Sequence, residues 1–383
     1  MKPLPHQEKY GNGYKDKAFL VHEGGTGKTV CACLWLKDGR DKDALVICPK
    51  RVVKKWSKTL SDWGTKATVL SKEEFKKTTI KKWSAIVVDE ADEFASPLFI
   101  SKKRSDNSTA LYELILAQPE TPIILLTATP IRSTSWNLHT LLCFLGIYID
   151  WKAWRKEFFS LEKRPYLARL AWLPKPDWRE RARFVLEKYA DIVLLKDCVD
   201  EVPAVRHEII SVPFTKIKQE EWEVKSGFFA EHKNEQSDKL KKVLEISKDY
   251  RKILVVAYYV EQVEKLSEEL SKYRQTFMVH GGVKNQEDIL KKANEDTDEC
   301  FLVIQASLGS AFDADSFSCV IFVSMSYAVR DYAQMKFRVR RIHNLHPVIY
   351  YYLIAGRCDK AVYNNIQLGR DFTPSEWEAT NAS

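Results

Sequence analysis

The run Glu23-Gly24-Gly25-Thr26-Gly27-Lys28-Thr29 lies between the apolar stretch Ala18-Phe19-Leu20-Val21-His22 and the helix-sized segment Val30 to Leu36. Glycines permit a tight turn without Cβ clashes, and a strand-to-helix turn aims backbone N–H groups at an anion, so this run suits a polyphosphate. Gly25, Thr26 and Gly27 would line the phosphates, the Lys28 ammonium would reach the β and γ positions, and the Thr29 hydroxyl would join a Mg²⁺ shell. The general pattern G-x-x-x-x-G-K-[ST] is incomplete, because His22 stands at its first glycine. An ordinary flexible turn is the competing account.

A second group of chemically capable residues is Asp89-Glu90-Ala91-Asp92, which closes the apolar run Ala85-Ile86-Val87-Val88. If that run is a buried strand, Asp89 and Glu90 project from its end towards the phosphate loop of an adjoining strand. Asp89 is then placed to hold Mg²⁺, directly or through water, and Glu90 to orient or deprotonate an attacking water. Asp92 is expected to link this end to neighbouring polar groups. An acidic surface turn is the alternative.

Two basic groups complete the set. Arg338 and Arg341 stand three apart after Gln334, so on a helix they share a side, and their planar guanidinium groups suit the charge that develops on a transferring phosphoryl group. Gln334 is a candidate to align the same phosphate through its amide. A salt-bridged helix face would have the same residues. Lys50, Arg51, Lys54, Lys55 and Lys58 crowd the stretch after Cys48 and are candidates for contacts to a nucleic-acid backbone, with a solvated face as the alternative.

Strands must carry these groups. Leu45-Val46-Ile47-Cys48 and Ile123-Ile124-Leu125-Leu126 repeat the short apolar pattern of residues 18–22 and 85–88, separated by helix-sized gaps. Near-continuous apolar strands of this kind indicate a parallel α/β sheet covered on both faces. A second set occurs at 253–257, 301–304, 320–323 and 348–353, with an amphipathic helix expected over Val260 to Leu270. The expected organisation is a nucleotide-binding lobe at 1–148, a connecting and partly helical segment at 149–234, a second lobe at 235–372 and a polar tail at 373–383. Within the connection, Trp151, Trp154, Trp172 and Trp178 are expected to pack that segment or wedge against bases.

Composition agrees with two lobes: 383 residues, 45% hydrophobic and 29% charged, can build two ordinary domains. A net charge of +8 favours an acidic partner such as nucleic acid. The eight cysteines are scattered without paired C-x-x-C clusters, which argues against a zinc knuckle and for buried thiols in a reducing cytoplasm. The run Leu141 to Ile149 is too short to span a bilayer and reads as core, so no membrane association is expected.

In this order the motifs resemble superfamily 2 helicases and translocases, especially compact Snf2-like members of the kind carried by bacteriophages. Asp89-Glu90-Ala91-Asp92 looks like motif II, Leu126-Thr127-Ala128-Thr129-Pro130 like motif III and Val46-Ile47-Cys48-Pro49-Lys50-Arg51 like motif Ia. Ala306 to Asp313 resembles motif V with Ala311 in place of a common glycine, and Gln334, Arg338 and Arg341 match the glutamine and arginines of motif VI. His343 and Asn344 depart from the Gly-Gln common in chromatin-type members.

The resemblance implies two tandem RecA-like parallel-sheet lobes with an ATP cleft between them, and ATP and Mg²⁺ as cofactors. It further implies Gln7 at the adenine edge, Thr127 and Thr129 in coupling, and Arg338 and Arg341 entering the site on closure. The expected activity is ATP-dependent DNA translocation or unwinding on branched or duplex DNA in replication or recombination, with proteins of those processes as partners. An ATP-gated nucleic-acid clamp and an RNA helicase are the alternatives. A cytoplasmic location follows, inside a bacterial host if the chain is phage-encoded; the resemblance leaves the oligomeric state open.

Overall fold

The computed structural model describes residues 2–11, 13–78, 81–96, 106–131, 134–163, 170–199, 202, 204–213, 236–308, 312–339 and 346–372. The chain divides into two compact units, Met1–Asp200 and Glu201–Ser383.

The apolar runs of the first unit form β1 (Lys17–His22), β2 (Ala44–Cys48), β3 (Thr68–Ser71), β4 (Ala85–Asp89) and β5 (Ile123–Thr127). The segment after residue 149 adds an antiparallel hairpin, β6 (Phe159–Lys163) with β7 (Leu170–Pro174), and a short strand β8 (Asp191–Val193). The main sheet has the order β3-β2-β4-β5-β1-β8, with every pair parallel. Alternate side chains explain why these runs are apolar throughout. Phe19, Leu45, Ile47, Ile86, Val88, Ile123 and Leu125 enter a core on one face, while Ala18, Leu20, Val46, Val87, Ile124 and Leu126 enter a core on the other. Each buried leucine or isoleucine contributes about 1.5–3 kcal/mol relative to exposure, so neither face tolerates polar substitution.

Register aligns the ends of three strands of this sheet. Leu20 pairs with Leu126, and Asp89 pairs with Leu126 from the other side, so β1, β4 and β5 finish level with one another. Asp89 and Glu90 therefore do not stand on a strand adjoining the phosphate loop, because β5 lies between β4 and β1. The intervening strand contributes Thr127 at the same level.

In the second unit the strands are β9 (Val205–Val212), β10 (Lys252–Ala257), β11 (Gln275–Val279), β12 (Cys300–Gln305), β13 (Cys319–Phe322) and β14 (Val348–Ala355). They form another six-stranded parallel sheet, in the order β11-β12-β10-β13-β14-β9. Leu254, Val256, Leu302 and Val320 face one core, and Ile253, Val255, Val303 and Ile321 the other. The amphipathic helix expected at 260–270 is present as Val260–Leu270, with Val263, Leu266 and Leu270 buried. The α/β class and the two parallel-sheet lobes agree with the sequence reading. The run beginning at Leu141 is the end of a buried helix, Trp136–Phe144, and all eight cysteines are free. Among the described residues, no helix is long and apolar enough to cross a membrane.

Candidate functional site

The turn after β1 adopts the geometry its glycines permit. Gly25 and Gly27 have φ of 89° and 86°, a left-handed conformation that costs a side-chain-bearing residue, and Gly27 immediately precedes the helix Lys28–Lys37. A Cβ at Gly27 would also collide with the Gln7 amide. Gln7 is buried; its Nε2 donates to the Thr26 carbonyl at 3.2 Å and its Oε1 accepts from Leu4 N at 2.9 Å. His6 Nε2 lies 2.9 Å from the same Thr26 carbonyl. The N-terminal segment is thus fastened to the loop itself. Thr26 Oγ1 donates to the Glu23 carbonyl at 2.8 Å, closing the turn from inside. Lys28 Nζ donates to the His22 carbonyl at 2.8 Å and more weakly to Glu23 at 3.5 Å, so the ammonium folds across the loop mouth. Thr29 follows on the first helical turn.

The end of β4 is held by an indole that sequence reasoning missed. Trp56 Nε1, from the helix Val53–Asp62, donates to Asp89 Oδ2 at 2.8 Å, and Glu90 N donates to Asp89 Oδ1 at 3.0 Å. Burial raises the Asp89 carboxyl above the ordinary aspartate range, against the Trp56 hydrogen bond and the Lys28 charge, which pull it down. The Lys28 charge acts on Asp89 because the glycine turn after β1 and the acidic end of β4 lie at the same end of the sheet. Glu90 has φ of 49° and ψ of 51°, a left-handed conformation unusual for glutamate and of the kind that collects at active sites. Asp92 is fully buried and accepts from Thr127 Oγ1 at 2.8 Å and from Thr129 Oγ1 at 3.5 Å, while Thr129 N donates to Thr127 Oγ1 at 3.0 Å. The ends of β4 and β5 are therefore one hydrogen-bonded unit, as expected for Asp92.

A second unforeseen cluster braces β1 from the side of β8. Asp191 accepts from Lys9 at 2.6 Å, from Tyr14 at 3.0 Å and from the Tyr10 hydroxyl, which also lies 3.0 Å from His22 Nε2. Burial alone would raise the Asp191 carboxyl, but these partners outweigh it and hold the group below its ordinary range. His22 is driven the other way, to about 3, first by burial and then by Lys28. It is a neutral histidine of the core, fully buried beside the Tyr10 hydroxyl. Glu23 Oε2 accepts from Leu195 N at 2.8 Å, tying the glycine turn to the turn after β8. Their sequence separation hid these partners; only the odd His22 at the first glycine position hinted at a special environment.

The basic run divides by burial. Lys50, Lys54, Lys55 and Lys58 are exposed, whereas Arg51 is partly buried. Residues 50–52 form a single 3₁₀ turn leading into Val53–Asp62, whose inner face carries Trp56 and Leu60. The cations therefore ride on the outside of the helix that braces Asp89.

In the second unit, the helix Val329–Val339 buries Gln334 and Met335 and presents Arg338 near its end. Arg338 Nη1 donates to the Phe312 carbonyl at 3.1 Å and lies 3.9 Å from Asp313, so the arginine compared above with motif VI is fastened to the segment compared with motif V. With its amide oriented to satisfy its neighbours, Gln334 accepts from Arg330 Nε at 3.1 Å. Arg340 and Arg341 lie outside the described residues, as do Gly309 to Ala311.

Comparison with known proteins adds two family matches. The family described as SNF2-related domain matches residues 65–258, just over half of the chain, and that described as helicase conserved C-terminal domain matches residues 235–343. No curated protein sequence matches the chain. Among solved structures, the Sulfolobus solfataricus SWI2/SNF2 ATPase core in complex with dsDNA is 17% identical, covering 99% of this chain and 94% of its own, with a TM-score of 0.45. The Mycobacterium smegmatis helicase Lhr bound to ssDNA and AMP-PNP is 14% identical with a TM-score of 0.57, covering 97% of this chain. This chain spans about half of that helicase, 49% of its length, and the likeness between them is one of fold.

Proposed function

Since the chain belongs to the SNF2-related family and carries a helicase C-terminal domain in tandem RecA-like units, we propose that it is an ATP-driven DNA translocase or helicase. The observation that carries this reading is the joined end of β1, β4 and β5, which carries a glycine turn, a lysine, the carboxylates of Asp89, Glu90 and Asp92 and two threonines.

The residues fit a Mg²⁺-polyphosphate. Two left-handed glycines open the loop to an anion, and Lys28 is held at its mouth by neutral carbonyls that a phosphate can replace. Thr29 and Asp89 supply the oxygen donors, and Mg²⁺ ordinarily takes only one or two protein carboxylates. When bound, the metal neutralises charge on the phosphates. Glu90 positions the attacking water and accepts its proton. To read the adenine edge, Gln7 exchanges its contacts with Leu4 N and the Thr26 carbonyl for the base, and Arg338 and Arg341 act in turnover. Asp92 passes the state of the β4 end to Thr127 and Thr129. Lys50, Arg51, Lys54 and Lys55 grip the nucleic-acid backbone, with branched or duplex DNA as the favoured partner.

The test compares ATPase rates with single-stranded, duplex and forked DNA and with RNA at one salt concentration, using the parent, Lys28→Ala and Glu90→Gln. Forked or duplex DNA should stimulate the parent most. Lys28→Ala should lose nucleotide binding, while Glu90→Gln should bind ATP and turn it over on the order of a hundredfold or more slowly. Stimulation by RNA alone would assign the chain to RNA, and DNA binding without stimulated turnover would assign it to a clamp. Parental turnover in folded Lys28→Ala would remove the proposed site.

A further inference from the structure

The hairpin β6–β7 leaves the core of the first unit with one apolar face uncovered. Phe159, Leu161 and Lys163 alternate along one strand opposite Pro174, Trp172 and Leu170 on the other, so all six share a face. At its root that face is packed, with Phe159 buried and stacked on Trp136 at 5.0 Å. Further along it is open: Leu161 is 49% exposed, Trp172 37% and Leu170 65%. Against it lies the helix Trp151–Phe158, which buries Trp154 and Phe158 and directs Arg155 to the hairpin. The Arg155 guanidinium carbon is 4.3 Å from the centre of the Trp172 ring and 4.9 Å from that of Trp151.

An arginine between two indoles is held by cation–π attraction, so its planar fork is ordered before any ligand arrives. Its guanidinium makes no hydrogen bond or ion pair with any described residue, and its Nε is buried without a partner. The neighbouring acids are otherwise engaged, Glu157 by Arg181 and Glu162 by Ser160. Lys152, Lys156 and Lys163 are exposed around the same helix and hairpin. The surface is thus cationic, and it combines an ordered phosphate-binding fork with an accessible indole. An acidic peptide would use the cations and leave the aromatic face idle; a nucleic-acid strand uses both.

We propose that Arg155, held between Trp151 and Trp172 at the β6–β7 hairpin, forms a binding site for an unpaired nucleic-acid strand. The guanidinium takes a phosphate and Trp172 stacks on an adjacent base. This site is separate from the basic run at 50–55, and it deepens the nucleic-acid reading on which it rests. Bases in a duplex already have stacking partners, so the indole selects unpaired ones.

The test measures binding of a single-stranded oligonucleotide and of a blunt duplex to the full chain and its Arg155→Ala, Arg155→Lys, Trp172→Ala and Trp172→Phe variants. ATPase activity without nucleic acid serves as the control for folding. A photoreactive iodinated pyrimidine in the strand reports contact with Trp172 directly. Trp172→Ala and Arg155→Ala should each weaken single-strand binding about tenfold, with duplex binding changed less than threefold. Trp172→Phe should retain most of the affinity, Arg155→Lys should not, and crosslinking should map to Trp172. Parental single-strand affinity in both alanine variants, an equal loss on duplex, or crosslinking confined to other residues overturns the site while leaving the function standing. Failure of the parent to bind any nucleic acid overturns both.

Discussion

Asp89 sits between opposing influences: burial raises its carboxyl, and the Trp56 indole and the Lys28 ammonium draw it down. Trp56→Phe keeps an aromatic core residue but removes the 2.8 Å hydrogen bond. Without that donor the carboxyl must rise further, so the acid limb of the turnover profile should move to higher pH. Stability should fall by about 1.5–3 kcal/mol, the usual worth of a hydrogen bond to a charged group. A pH–rate profile beside a urea titration checks both, and an unmoved acid limb would mean that Trp56 acts through packing alone. This pairing shows where residue-level reading stops. Gly25 and Gly27 announce their turn because left-handed backbone favours glycine. A tryptophan on the inner face of a helix has the pattern of core, and nothing in its spacing reveals that its N–H meets a carboxylate from β4.

Strands were legible to the degree that they are buried on both faces. β2, β4, β5, β10, β12 and β13 are nearly continuous apolar runs, and their limits differ from the expected ones by a residue or two. β3, β8, β9 and β11 sit at sheet edges, where mixed exposure removes that signature, and β8 is only three residues long. Two predictions belong to these elements. The helix Val53–Asp62 carries its lysines outward, so neutralising Lys50, Arg51, Lys54 and Lys55 should weaken DNA binding and lower the slope of log affinity against log salt by up to about 0.9 per phosphate contact removed. An identical slope in a salt titration would exclude this surface. The brace of β1 carries a pH signature. Folding holds His22 near 3, whereas the unfolded chain takes up a proton near the ordinary 6.5. Its contribution is therefore complete above about pH 6.5 and lost as pH falls towards 3, by at most about 1.4 kcal/mol per pH unit. His22→Asn should flatten the fall in urea midpoint between pH 6.5 and 4, and an unchanged slope would count against this assignment.

The two units are built alike, each a six-stranded parallel sheet with a core on both faces. If turnover needs both, Arg338→Ala and Arg341→Ala should bind ATP with near-parental affinity and hydrolyse it on the order of a hundredfold more slowly, a loss of about 2.7 kcal/mol in transition-state stabilisation. DNA should stimulate either variant far less than the parent. Parental turnover and stimulation in both would refute the role of these arginines. The brace around the glycine turn also has a history in time. Asp191 gathers Tyr10 and Tyr14, and Leu195 caps Glu23, across 181, 177 and 172 residues. A ribosome adding about 5–20 residues per second needs roughly 10–35 s to cover that separation. During synthesis, β1 and its glycine turn therefore wait, without their outer neighbour and with Lys9, Tyr10 and Tyr14 lacking their shared carboxylate, until β8 emerges. The glycine turn is encoded first and finished late, and in that interval its strand edge is open to the cell's chaperones.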